Sequence, residues 1–175
     1  MGVKVFESRK FSVYVEKFNL PNGKVKETAY VSHRGSVVVA PFLSEDEVVM
    51  LRQYRPIAGK WLVEFPAGTL EQNERPEETA RRELLEEAGY EATKLTYLFS
   101  FYVSPGVTNE MMHAFVASGL KPGVQQPEEY EVIEVKRVKL DDLFSMATKG
   151  EIEDGKSLVL ALYLLANRQR IREWL

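Results

Sequence analysis

The 175-residue chain is 45% apolar and 28% charged, the ordinary range of one compact domain with a real core. Its longest apolar stretch, Leu158 to Ala166, falls well short of the roughly 20 residues that span a bilayer. Without cysteine it holds no disulfide, zinc-thiolate site or thiol nucleophile, and a net charge of −3 argues against a protein that neutralises many duplex phosphates.

Residues 1–10 alternate charged and apolar side chains without an apolar h-region, so no secretory signal is read there and cytoplasmic residence is expected. Phe11, Val13 and Val15 alternate with polar residues, and Leu20-Pro21-Asn22-Gly23 makes a turn before Val25 to Ser32. This pattern predicts an N-terminal antiparallel β-hairpin. Strands follow at Ser36 to Phe42, Glu47 to Arg55 and Trp61 to Phe65, and Pro66-Ala67-Gly68 ends the last of them. A helix is predicted from Pro76, suited to a first turn, to Ala88, with Gly89 as its stop. Strands return at Leu95 to Val103, Met111 to Ala117 and Val132 to Val138. Asp141 or Asp142 caps a short helix ending near Gly150, and Ser157 caps a longer one running to the C-terminus. The order predicts an α/β fold, a mixed β-sheet with helices packed against it.

Charge is unevenly placed along the chain. Residues 71–91 hold eight glutamates and three arginines, whereas residues 1–60 carry ten Lys plus Arg against six Asp plus Glu. An acidic segment suited to cations thus accompanies a basic one suited to anions. On the predicted helix, Glu83 and Glu87 are four apart and share a face, with Glu86 beside them, while Ala80, Leu84 and Ala88 form an adjacent apolar stripe. Glu77 with Arg81 and Glu78 with Arg82 are the ordinary pairs of a solvated helix. Glu83 with Glu87 is different, because a like-charge i,i+4 pair costs about 0.2–0.5 kcal/mol unless a cation compensates. Clustered carboxylate oxygens suit Mg²⁺ or Mn²⁺, which keep several waters and bind phosphate oxygens.

The full spacing runs Gly68, five residues, Glu74, seven residues, Arg82-Glu83-Leu84, one residue, Glu86-Glu87, one residue, Gly89, Tyr90. It resembles the Nudix box of the Nudix hydrolases, with Tyr90 in place of the usual aliphatic residue. Outside the box, Arg52-Gln53-Tyr54-Arg55, Glu64-Phe65-Pro66-Ala67-Gly68 and Tyr102 to Gly106, with Pro105 standing 16 residues after Gly89, are similar to the ADP-ribose pyrophosphatase branch. The resemblance covers roughly residues 30–165.

It implies a Nudix fold, a mixed sheet sandwiched between helices, divided into an N-terminal β-strand region at 1–40, expected to dimerise, and a hydrolase domain at 41–175. It implies two or three Mg²⁺ ions, with Mn²⁺ as a substitute, held by Glu83, Glu87, Glu131 and the Ala67 carbonyl, with Glu86 beside them in a catalytic role. Arg82 would orient these acids, and Glu74 would lie near the metals or hold the loop. The general base would be Glu129 on the loop Gly123 to Tyr130, with Glu128 as the alternative register. Arg34, Arg55, Pro105 and Glu110 would bind substrate. His113 reads first as a hydrogen-bonding structural residue and Trp61 as core. The expected reaction is hydrolysis of the pyrophosphate of ADP-ribose, or a similar nucleotide sugar, to AMP and ribose 5-phosphate, by a homodimer joined through its N-terminal strands. No nucleic-acid or membrane partner is expected. The rivals are a Nudix hydrolase of another nucleotide and a non-catalytic nucleotide sensor, which would not need the full set of box acids.

Overall fold

The computed structural model describes residues 2–175. A hairpin, β4 (Ser36–Ser44) and β5 (Glu47–Arg55), lies at the centre of a seven-stranded sheet. Successive side chains of a strand point to opposite faces, so the continuous run Val37-Val38-Val39 must be covered on both. All three valines are fully buried. The long strands β8 (Tyr90–Tyr102), β9 (Met111–Pro122) and β10 (Ile133–Lys139) complete the order β10-β5-β4-β9-β8, while the short β6 (Lys60–Glu64) pairs with β5 and β7 (Ala67–Thr69) with β4. β4 and β9 run parallel and the other pairings are antiparallel, so the sheet is mixed as expected.

Val37, Val39, Val49 and Leu51 meet helix α1 (Pro76–Ala88) through Ala80, Leu84 and Ala88, the predicted apolar stripe. On the other face Val38, Ala40, Phe42 and Met50 meet α2 (Leu140–Lys149), α3 (Gly155–Ala166) and α4 (Ile171–Trp174) through Leu143, Leu160, Leu164 and Trp174. The sheet is therefore sandwiched. No helix among the described residues is long and apolar enough to cross a membrane.

Helix α1 starts at Pro76 and ends at Gly89, whose left-handed φ of 71° lets its N–H reach the carbonyls of Leu84 and Leu85. Two predicted caps fall elsewhere. Lys139 precedes α2, which leaves Asp141 and Asp142 inside the first turn. Asp154 caps α3 by accepting the Ser157 N–H at 3.0 Å, because the Ser157 hydroxyl is already taken by the Phe65 N–H at 2.8 Å. The expected C-terminal helix is also broken: the Asn167 side chain binds the Tyr163 carbonyl at 2.9 Å, and a 3₁₀ turn (Arg168–Arg170) leads into α4.

The N-terminal hairpin, β2 (Phe11–Asn19) with β3 (Val25–His33), gains a third strand, β1 (Val3–Glu7), to form a separate antiparallel sheet. That sheet ends at His33, and the strand through residue 40 belongs wholly to the large sheet. The chain passes from the small sheet to the large one through the turn at Gly35, where φ is +102°. A few bonds tie the small sheet to the body, among them Val31 N–H to the Val107 carbonyl at 2.9 Å and His33 N–H to Asn109 Oδ1 at 2.8 Å. Its Val3, Val5, Phe6 and Val25 are all more than half exposed.

Candidate active site

The acidic centre forms where the start of β7 abuts α1. Glu83 and Glu87 project from adjacent turns of the helix towards the strand. A Cβ added at Gly68 would lie 1.8 Å from Glu83 Oε1, so the Glu83 carboxylate is seated directly against the Gly68 backbone. Glu87, only 3% exposed, accepts the Ala67 N–H at 2.8 Å.

Burial disfavours the charged form of each acid. It pushes Glu83 up to about 7, partly countered by Arg82, with the charges of Glu86 and Glu131 adding to the rise. Burial and then the charge of Glu83 push Glu87 up to about 8. Two buried carboxylates that oppose each other's ionisation form a site a cation would relieve. Among the described residues no three His, Asp or Glu side chains close a metal cage. The donor set is a row of hard oxygens on an open cavity wall, which fits Mg²⁺, an ion that retains water and takes substrate phosphate oxygens.

Arg82 organises this wall. Its Nε and Nη2 bind the two Glu74 oxygens at 3.0 and 2.9 Å, and Nη1 reaches Glu83 at 2.7 Å and Glu86 at 3.2 Å. Glu74 also accepts from Thr79 Oγ1 at 2.7 Å and from the Glu71 N–H at 3.0 Å, so it holds the loop before α1. Arg82 holds the Glu74 carboxyl down at about 2.

The acids line a cavity of about 460 Å³, within the usual size range of small-ligand sites. Ala67, Glu86, Arg82, Glu131, Arg34, Arg55 and Glu110 line it too, so most of the residues singled out in the sequence converge on it. Glu110 accepts the Ser36 hydroxyl at 2.6 Å, and Arg34 donates to the Arg9 carbonyl at 2.6 Å. Arg55 makes a bidentate pair with Glu64, at 2.7 and 2.6 Å.

Three of the residues singled out in the sequence lie outside the cavity lining, Glu74 among them as the loop-holding acid. Glu74 sits behind the wall as described. Pro105 is exposed and does not line the cavity; it follows Ser104 in a turn closed by the Val107 N–H on the Ser104 carbonyl at 2.9 Å, a position where proline's fixed φ suits the backbone. Glu129 is exposed and outside the lining, while its neighbours Glu128 and Glu131 are within it. The turn they share is closed by the Glu128 N–H on Glu131 Oε2 and the Glu131 N–H on the Glu128 carbonyl, both 2.9 Å. Glu128 pairs with Arg9. His113 bonds Ser100 at 2.7 Å away from the cavity, and Trp61 is half-buried under the Arg52 guanidinium rather than in the core.

A NUDIX domain model matches residues 32–161. The chain belongs to the Nudix family. A relative described as ADP-ribose pyrophosphatase, from Bacillus subtilis (strain 168), is 39% identical over 163 residues, covering 92% of this chain and 88% of the relative. One described as methanol dehydrogenase activator, from Bacillus methanolicus, is 37% identical with the same coverage. A solved structure described as that of an ADP compounds hydrolase covers 99% of this chain and 91% of its own, with a TM-score of 0.77 and 26% identity.

Reading the Nudix box alone misses the basic side of this site. Lys156 and Asp154 line the cavity beside Arg55, and Arg9 and Lys10 reach it from the small sheet. The only sequence signal for the first pair is an Asp and a Lys flanking a helix start, a pattern indistinguishable from ordinary capping.

Proposed function

We propose that this Nudix hydrolase cleaves the pyrophosphate of ADP-ribose with water, yielding AMP and ribose 5-phosphate. The observation that carries the reading is a single cavity lined by the box acids Glu83, Glu86 and Glu87 and by the arginines Arg34 and Arg55. Such a pairing suits a diphosphate held between divalent cations and fixed positive side chains. The kinship with an ADP-ribose pyrophosphatase supports the choice of substrate.

Glu83 and Glu87, with Glu86, Glu131 and the Ala67 carbonyl, would hold two or three Mg²⁺ ions. When bound, Mg²⁺ supplies charge against phosphate oxygens and makes water more acidic. Arg82 keeps Glu83 and Glu86 in place, and Arg55 orients a phosphate with the donors not spent on Glu64. The attacking water gives its proton to a carboxylate as its oxygen bonds to phosphorus and the anhydride P–O bond breaks. We assign that carboxylate to Glu129. Unlike Glu128 it has no ion pair among the described residues, and its exposed turn can bring it to the substrate.

The small sheet, with its exposed Val3, Val5, Phe6 and Val25, is assigned to a homodimer interface. We assign the enzyme to the cytoplasm as part of the same reading. The test is a nucleotide panel with Mg²⁺ and product identification. kcat/KM for ADP-ribose should exceed that for ATP and diadenosine polyphosphates at least tenfold. A triphosphate or dinucleoside polyphosphate winning by that margin refutes the substrate assignment, and no hydrolysis of any nucleotide refutes the enzyme reading in favour of a sensor.

A further inference from the structure

Glu64, the last residue of β6, has no solvent exposure. A buried carboxylate must find donors for both oxygens. Oε1 accepts Arg55 Nε at 2.7 Å, and Oε2 accepts both Arg55 Nη2 at 2.6 Å and Lys156 Nζ. Lys156 is itself held by Asp154 Oδ1 at 2.9 Å. The four charges balance, two of each sign.

The first turn of α3 grips this corner twice. Lys156 takes the Glu64 side chain, while Ser157 Oγ takes the backbone N–H of Phe65, the next residue. Asp154 links the two grips by accepting the Ser157 N–H. Glu64 is thereby fixed in position and in the rotation of its carboxylate. A planar bidentate pair transmits that orientation to the guanidinium. The Arg55 side chain, 37% exposed, ends on the cavity with Nη1 free of acceptors among the described residues.

We propose that Lys156 is a positioning residue for substrate binding: by locking Glu64 it holds the Arg55 guanidinium in the one orientation that presents Nη1 to a substrate phosphate. This rests on the reading of Arg55 as a phosphate contact. Lys156 reaches the substrate only through Glu64 and Arg55, so its effect is on binding and not on the chemical step.

The experiment is a double-mutant cycle on Arg55→Ala and Lys156→Met, with Lys156→Arg as the conservative variant. KM and kcat are measured for ADP-ribose with Mg²⁺, together with the Kd of its α,β-methylene analogue. Lys156→Met should raise KM and Kd about tenfold, the loss of one charge-assisted contact, with kcat nearly unchanged. Lys156→Arg should restore most of the affinity. In the Arg55→Ala background Lys156→Met should add almost nothing, because coupled residues are non-additive. An equal penalty in both backgrounds would mean that Lys156 meets the substrate by itself and would overturn the proposal alone, as would wild-type KM and Kd in Lys156→Met. Unchanged KM and Kd in Arg55→Ala would overturn the Arg55 reading itself. If Lys156→Met fails to fold, Lys156→Gln takes its place in the same cycle.

Discussion

Gly68→Ala isolates the seat of Glu83 from the rest of the fold. Gly68 lies in β7 with a backbone that alanine tolerates, so the change strains no dihedral. Its new methyl would stand 1.8 Å from Glu83 Oε1 and 2.0 Å from Glu83 Cδ. Ordinary contact begins near 3.4 Å, so the carboxylate must retreat by about 1.6 Å and give up its 2.7 Å bond from Arg82. A displacement of about 1 Å in a positioned group costs on the order of 10² in rate. The atoms that move are the far end of a flexible side chain, and what they leave is a site that burial makes unfavourable for a charge.

Gly68→Ala should therefore lower kcat by about 10²-fold or more, and raise the Mg²⁺ concentration needed for half-maximal rate, while its Tm stays within a few degrees of the parent. Initial rates across a Mg²⁺ titration, with thermal melts in parallel, measure both. Gly106→Ala is the control, since a methyl there meets nothing within 4 Å. A Gly68→Ala enzyme with near wild-type kcat and Mg²⁺ dependence would show that the seated Glu83 carboxylate is not a metal ligand.

Glu87→Gln should abolish most turnover yet melt at or above the wild-type temperature without metal, because a neutral amide replaces a carboxylate whose ionisation burial opposes; near wild-type turnover would remove Glu87 from the metal set. Glu129→Gln should cost roughly 10²- to 10⁴-fold in kcat with little change in metal affinity, and Glu131→Gln should weaken metal binding in the substrate complex. Inactivity of Glu128→Gln alone would instead move the base by one residue along the same turn. Glu74 has a folded pKa of about 2, below its ordinary 4.5, so its stabilising bond to Arg82 is fully present above about pH 4.5 and lost as pH falls towards 2. Melting temperatures of Glu74→Gln should accordingly lie below wild-type near neutral pH and converge with it in acid; parallel curves would refute the linkage.

Local physics decided much of this molecule in advance. Pro76 and Gly89 bracket α1 because a proline suits a first turn and a glycine the left-handed stop, and the spacing of Ala80, Leu84 and Ala88 determines which face docks. Once that face is down, Glu83 and Glu87 must stand together at its edge, so the acidic half of the site is legible from one segment. The unbroken Val37 to Val39 run likewise announces a central strand covered on both faces. The basic half is legible only in part: Arg34 and Arg55 stand out by the family resemblance, but Arg9, Lys10 and Lys156 come from distant segments and join them only when the small sheet, β5 and α3 close on one cavity. Ser157 shows why a local rule fails there. By local preference its hydroxyl would cap α3, but the buried N–H of Phe65 needs an acceptor, and leaving it unpaired costs more than moving the cap to Asp154. Pro105 and Glu129 lie outside the cavity lining for a related reason: each carries a motif along the chain, but whether a loop residue faces a cavity depends on the turn that presents it, and turn orientation is a property of the packed structure.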